Sequence, residues 1–127
     1  MIIELRPVGV VRSCDDEPTA ASTRGKTLAI EVYPDYAEGL TGIERLSEVQ
    51  VLYWMHKLDE NDRNTLITHP RGNKARPKEG VFALRSPMRP NPVGSSVVRL
   101  LKREGNKLLV TGFDALVGSP VLDIKHP

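Results

Sequence analysis

The stretch Arg85-Ser86-Pro87-Met88-Arg89-Pro90-Asn91-Pro92-Val93-Gly94 concentrates side chains that can hold a ligand. Each proline fixes its own φ and pushes the residue before it into extended geometry. Ser86, Arg89 and Asn91 all precede a proline, so the stretch is stiff before any ligand arrives. Gly94 can then release the chain into the next element. A stiff loop presenting two guanidinium groups and an amide loses little entropy on binding, and guanidinium suits phosphate and stacks on bases. On composition alone, a plain rigid connection between strands explains the stretch equally well.

A second constellation is Asp114-Ala115-Leu116-Val117-Gly118-Ser119-Pro120-Val121-Leu122-Asp123-Ile124-Lys125. Asp123 and Lys125 are two apart, so on a strand they face one side. One could hold an amine or hydroxyl, the other a carboxylate or phosphate. As a bare pattern, a surface ion pair of little energetic weight is the simpler account. His56-Lys57 closes an otherwise apolar run, where a histidine is more often structural than catalytic. His69, His126 and the single Cys14 are scattered without metal-ligand spacing, so no metal site is expected. There is no P-loop and no G-x-G-x-x-G, which argues against a Rossmann-type nucleotide site. No Ser-His-Asp arrangement stands out.

These residues must be positioned by short strands. Residues 5–13 read as a strand. In residues 27–33, Leu28, Ile30 and Val32 share one face and Thr27, Ala29, Glu31 and Tyr33 the other. Residues 49–56 are rich in β-branched and aromatic side chains. Residues 80–85, 95–103, 107–113 and 120–125 complete the set, and Gly105 suits a positive φ in the hairpin between the fifth and sixth. Residues 36–46 read as a short helical or turn segment. Residues 58–79 read as a long polar, basic loop, which in a compact domain is functional or disordered. The expected fold is all-β: a single domain over 1–127, a small closed β-barrel of about seven strands with one or two short helices. Closure removes exposed edges.

The chain of 127 residues carries ten glycines and ten prolines, which favours turns over a helical bundle. No apolar run is long enough to span a membrane, no secretory signal is visible at the start, and a lone cysteine permits no internal disulfide, so a cytoplasmic setting is expected. The net charge of +2 conceals an asymmetry. Residues 63–103 carry ten Lys/Arg and one acid, Glu79, whereas residues 1–62 carry six Lys/Arg and twelve Asp/Glu. A basic middle within an acidic chain is an electrostatic footprint for a polyanion, or a solvated face balanced by the acidic half.

Gly80-Val81-Phe82-Ala83-Leu84-Arg85-Ser86-Pro87, running into Arg89-Pro90-Asn91-Pro92-Val93-Gly94, resembles the signature of the TsaA-like (TrmO-type) proteins, the tRNA threonylcarbamoyl-adenosine methyltransferases. The resemblance continues through Gly112-Phe113-Asp114 and Pro120-Val121-Leu122-Asp123-Ile124-Lys125. Upstream it takes in Val8-Gly9-Val10-Val11-Arg12-Ser13, Arg24-Gly25 and Gly39-Leu40-Thr41-Gly42-Ile43, and so covers nearly the whole chain. It departs from the family pattern at Lys57, Leu84, Val117 and Ser119, and it resembles the short form without a C-terminal extension.

The resemblance implies a β-barrel methyltransferase that works as a homodimer, with S-adenosylmethionine bound near the subunit interface. The implied reaction methylates the exocyclic nitrogen of a threonylcarbamoylated adenosine next to the anticodon of tRNA. By motif position it places cofactor contacts at Arg24, Gly25, His56, Lys57, Arg85, Ser95, Asp114, Ala115, Leu116 and Val117. Arg89, Asn91, Asp123 and Lys125 are implied to shape the place where cofactor and target meet. The acceptor nitrogen of that target lies next to a carbonyl, which makes its proton more acidic and a strong protein base unnecessary. Asp123 is the first candidate for a base, relayed transfer to water is the alternative, and Lys125 or Arg89 could bind the threonyl carboxylate. Two other readings compete: a non-enzymatic RNA-binding barrel, for which six aromatic residues are few, and an adenosylmethionine-binding protein acting on another small substrate.

Overall fold

The computed structural model describes residues 1–14 and 26–127. Strands β1 (Gly9–Ser13), β2 (Leu28–Val32) and β3 (Glu48–Trp54) precede a one-turn helix α1 (Glu60–Arg63). Two short strands follow, β4 (Ile67–Thr68) and β5 (Glu79–Gly80), then β6 (Val93–Glu104), β7 (Lys107–Thr111) and β8 (Pro120–Lys125). Six of these close into a barrel in the order β1-β2-β7-β6-β3-β8, while β4 and β5 pair as a separate ribbon. Every pairing is antiparallel.

Two-residue alternation fills the barrel. Val49, Val51 and Tyr53 of β3 point inward and are buried, as are Leu28, Ile30 and Val32 of β2 and Leu108 and Val110 of β7. Phe113 plugs the interior with its ring edge against Tyr53, the centroids 5.1 Å apart and the planes at 85°. The barrel is therefore a packed core, and any site must be built on its rim or outer wall. The β6–β7 turn carries Gly105 at φ +62°, and the Asn106 amide donates to the Val32 carbonyl at 2.6 Å, tying the turn to β2. Bulges at Leu101 against β7 and Leu122 against β3 bend the long strands round the closure. Among the described residues no helix is long and apolar enough to cross a membrane.

Two expectations about the middle of the chain need correction. Residues 58–79 are not one irregular loop but contain α1, β4 and a 3₁₀ turn at Pro70–Gly72. Asp59 and Asp62 exchange side-chain and backbone hydrogen bonds at the start of α1, satisfying amides that so short a helix leaves open. Residues 80–85 are not a barrel strand: after β5 the chain makes a 3₁₀ turn at Val81–Ala83, with Phe82 in solvent. The turn's carbonyls receive a side chain in place of a neighbouring strand, because the Arg89 guanidinium donates to Val81 O and, at 2.7 Å, to Leu84 O.

Candidate functional site

The end of β3, the start of β6 and the loop from β7 to β8 meet at one rim of the barrel. Between them lies an open cavity of about 870 Å³. Met55, His56 and Lys57 line it from the chain leaving β3, Arg85 and Arg89 from the proline-rich stretch, Ser95 and Ser96 from β6, and Asp114, Ala115 and Leu116 from the β7–β8 loop. Eight residues singled out in the sequence thus share one cavity: His56, Lys57, Arg85, Arg89, Ser95, Asp114, Ala115 and Leu116. Val117 instead packs half-buried against the core. Asn91 lines a neighbouring groove. Asp123 and Lys125 form an ion pair at 3.3 Å, each about half exposed, on the outer face of β8. Arg24 and Gly25 lie outside the described residues.

The cavity's acidic group is held in place. Asp114 Oδ1 accepts hydrogen bonds from the Tyr53 hydroxyl and from Ser96 Oγ, both at 3.2 Å. Burial, and then the negative charge of Asp114, push the Tyr53 phenol above its ordinary value, so it remains a donor at neutral pH. Tyr53 reaches Asp114 by crossing over Gly94. A Cβ at Gly94 would lie 2.6 and 2.7 Å from the Tyr53 Cε2 and Cε1 and nearer still to Cζ, so only glycine leaves room for the ring here. Ser95, one residue on, points to the outer face, where it accepts from Gln50 Nε2 at 3.0 Å. Its carbonyl accepts from Arg85 Nη2, which fixes the guanidinium of that arginine against β6.

His56 carries a buried Nδ1 without a hydrogen-bond partner. Burial, with Lys57 adding to it, holds this imidazole below its ordinary value, so it is neutral at neutral pH. Arg89 donates from one terminal nitrogen, Nη2, to both Val81 O and Leu84 O, and its Nε is buried and unpartnered. Its position is that of a clamp closing the 3₁₀ turn onto the cavity wall. Arg71 also lines the cavity, with φ +53°, a left-handed conformation uncommon outside glycine. Tyr53, Ser96 and Arg71 were not among the residues singled out as site residues. The first two are visible only once β3 and β6 are in register, Tyr53 opposite Gly94 and Val51 opposite Ser96. No group of three or more His, Cys, Asp or Glu capable of holding a metal occurs among the described residues.

A small barrel with a rim cavity that gathers a fixed carboxylate, a neutral imidazole and several cations has the form of a binding site for a charged small molecule beside a polyanion. Comparison with known proteins gives that class a family. Residues 11–126 match the family model described as the tRNA-methyltransferase O N-terminal domain. A protein of Methanothermobacter thermautotrophicus named a probable S-adenosyl-L-methionine-binding protein is 46% identical over 98% of this chain and 90% of its own length. One of Archaeoglobus fulgidus with the same name is 44% identical over 98% of this chain, which spans only 34% of that relative. The crystal structure of TrmO from Pseudomonas aeruginosa superposes with a TM-score of 0.73 at 33% identity, covering all of this chain and 56% of that one. The chain belongs to the tRNA-methyltransferase O N-terminal domain family.

Proposed function

We propose that this protein transfers the methyl group of S-adenosylmethionine to the N6 nitrogen of threonylcarbamoyl-adenosine beside the anticodon of tRNA. The observation that carries the reading is the meeting of His56, Arg85, Ser95 and Asp114, from four separate chain segments, around one rim cavity. The cavity's donor set suits the cofactor. The carboxylate of Asp114, braced by Tyr53 and Ser96, is a counter-charge for its ammonium group, while Leu84, Ala115 and Leu116 offer apolar surface to its adenine ring. Arg85 supplies positive charge for a carboxylate or phosphate.

When bound, the cofactor supplies an electrophilic methyl on a positively charged sulfur. The protein's share is positioning, which can account for several kcal/mol of barrier when donor and acceptor are held in line. The acceptor nitrogen lies next to a carbonyl, so its proton is more acidic than that of a plain amine. His56, which is neutral and lines the cavity, would take that proton, with relayed transfer to water as the alternative. Asp123, the first candidate from the sequence, is bound instead to Lys125 outside the cavity. A homodimer gives that pair a use. Val97 of β6 and the bulged Leu101 are each about half exposed, apolar surface on the outer wall that a second copy would cover. Lys125 of one copy would then approach the other copy's cavity and meet the threonyl carboxylate, with Asp123 steering it.

The first test is calorimetric titration with S-adenosylmethionine, with Arg85→Ala alongside. Saturable binding of one cofactor per chain, weakened by the substitution, supports the reading and leads to a tRNA methylation assay. Cofactor binding without methylation of any tRNA favours action on another small substrate. RNA binding without cofactor binding favours the non-enzymatic barrel.

A further inference from the structure

A second groove lies on the other side of Val93, the residue it shares with the cofactor cavity. Its volume is about 550 Å³ and its walls are mostly apolar, from Leu5, Pro120 and Leu122 among others. Trp54, Arg63 and Asn91 are its exceptions. Trp54 is the last residue of β3 and faces outward, opposite Val93. The guanidinium carbon of Arg63 stands 5.3 Å from the Trp54 ring centroid, and Arg63 Nε donates to the Pro90 carbonyl at 2.9 Å. That one bond joins α1 to the proline-rich stretch and holds a planar cation beside an aromatic face. Arg63 also opens the basic half of the chain, and Arg71, Lys74, Arg76 and Lys78 beyond it are all exposed.

We infer that this groove takes an unstacked nucleobase of the substrate RNA, the neighbour of the methylated nucleotide rather than that nucleotide itself; the inference rests on the tRNA-methyltransferase reading above. An aromatic face and a guanidinium plane are what single-stranded bases stack on, and an amide such as that of Asn91 pairs with the edge of a base. Apolar walls suit a base and repel a phosphate. The surrounding cations match a polyanionic strand and oppose a basic or plain apolar protein partner. The methyl acceptor must lie in the same cavity as the cofactor's sulfur. A groove that touches that cavity through Val93 is placed for the next base along the strand. The groove would thus hold the strand in register, and a sequence preference at the neighbouring position would come from Asn91.

Trp54 is the chain's sole tryptophan, so its fluorescence reports this groove alone. The probe is an anticodon stem-loop RNA carrying threonylcarbamoyl-adenosine, compared with versions in which one or other neighbour of that nucleotide is abasic. Binding is followed in parallel by anisotropy of labelled RNA at raised salt, where phosphate contacts weaken. Trp54 emission is expected to be quenched by the intact RNA and to stay nearly unchanged with one of the abasic RNAs. Asn91→Ala, at an exposed position outside the barrel core, should weaken RNA binding by roughly tenfold, the scale of one base contact. Trp54→Phe, which keeps an aromatic face, should weaken it less than Trp54→Leu. RNA that binds and is methylated with Trp54 emission unchanged overturns the groove and leaves the methyltransferase reading standing. Emission that changes with protein concentration alone, without RNA, makes the groove a contact between two copies and overturns the inference. Failure of the RNA to bind at all overturns the tRNA reading and the inference with it.

Discussion

Adding one methyl group at Gly94 tests how the cavity is built. The new Cβ would sit 2.6–2.7 Å from two ring carbons of Tyr53, so the ring must retreat on the order of 1 Å to reach ordinary contact. It has little room to do so. Tyr53 is 7% exposed, its ring meets the edge of Phe113, and its hydroxyl is tied to Asp114. Overpacking of this kind costs about 1–3 kcal/mol, or about 3–10 °C in Tm for a chain of this size. The same movement draws the hydroxyl away from Asp114, so cofactor affinity should fall together with stability.

A double-mutant cycle isolates the cause. Leucine at position 53 ends short of the Cε and Cζ positions that clash. In the Tyr53→Leu background, Gly94→Ala should therefore be neutral, or stabilising by about 0.5–1 kcal/mol because alanine loses less backbone entropy than glycine. The coupling energy from urea unfolding should be about 2–3 kcal/mol. Tyr53→Phe separates the hydroxyl from the ring: the fold should stay intact while cofactor affinity drops by up to tenfold, about 1 kcal/mol for one hydrogen bond with Ser96 still in place. An equal penalty for Gly94→Ala in both backgrounds would refute the steric argument. Unchanged cofactor affinity in Tyr53→Phe would refute the bracing of Asp114.

Three further outcomes are expected. The folded imidazole of His56 titrates below its ordinary 6.5 because it is partly buried and lies beside Lys57, so as pH falls the unfolded chain takes up that proton first. Its contribution is nil above about pH 6.5 and destabilises increasingly below it, until the folded imidazole also titrates; a Tm-against-pH series should show His56→Gln falling less steeply over that window, and parallel curves would dismiss the assignment. Binding of the RNA should weaken with salt, and Lys74→Gln with Arg76→Gln should reduce the slope of log K against log salt by about 0.7–0.9 for each phosphate these side chains no longer neutralise; an unchanged slope would remove these two cations from the interface. Arg85→Ala and Lys125→Ala should each lose methylation, yet a mixture of the two should recover part of it if Lys125 acts in the partner's cavity, and sedimentation should show a dimer; an inactive mixture of dimeric variants would return Lys125 to its own chain or to the surface.

Local pattern carried much of this far into the sequence. The alternation at Leu28, Ile30 and Val32 is buried as its period requires, and the turn at Gly105 has the positive φ its position suggests. The stiffness of the Arg-Pro-Asn-Pro string was equally readable, since proline geometry is local. Its division was not. Arg89 and Asn91, two residues apart, line different hollows, because Arg89 is drawn inward by the carbonyls of Val81 and Leu84. Nothing in residue type announces which carbonyls a guanidinium will meet. Helix α1 escaped for another reason. At four residues it is too short to show an apolar period, and its only local signal is the Asp59–Asp62 capping pair. Tyr53 over Gly94 depends on cross-strand register, which distant pairing sets and neither residue reveals alone.

The barrel's closure also explains why its chemistry lies where it does. Ile30, Val49, Val51, Leu108 and Phe113 fill the interior, leaving no room for a ligand among the strands. What antiparallel strands can offer is a rim, where the exit of β3, the entry to β6 and the β7–β8 loop come together. There a residue's role follows from the face it occupies. Tyr53, on the inward face, can reach back across Gly94 to brace Asp114 from beneath. Trp54, one residue later, is turned outward and serves a different hollow. A single change of face between neighbours thus places a rim cavity and a separate groove next to one another, with Val93 lining both. On the proposed reading, the cavity would hold both reactants of a methyl transfer, and the groove beside it would hold the neighbouring base of the strand, with the packed core setting the separation of the two.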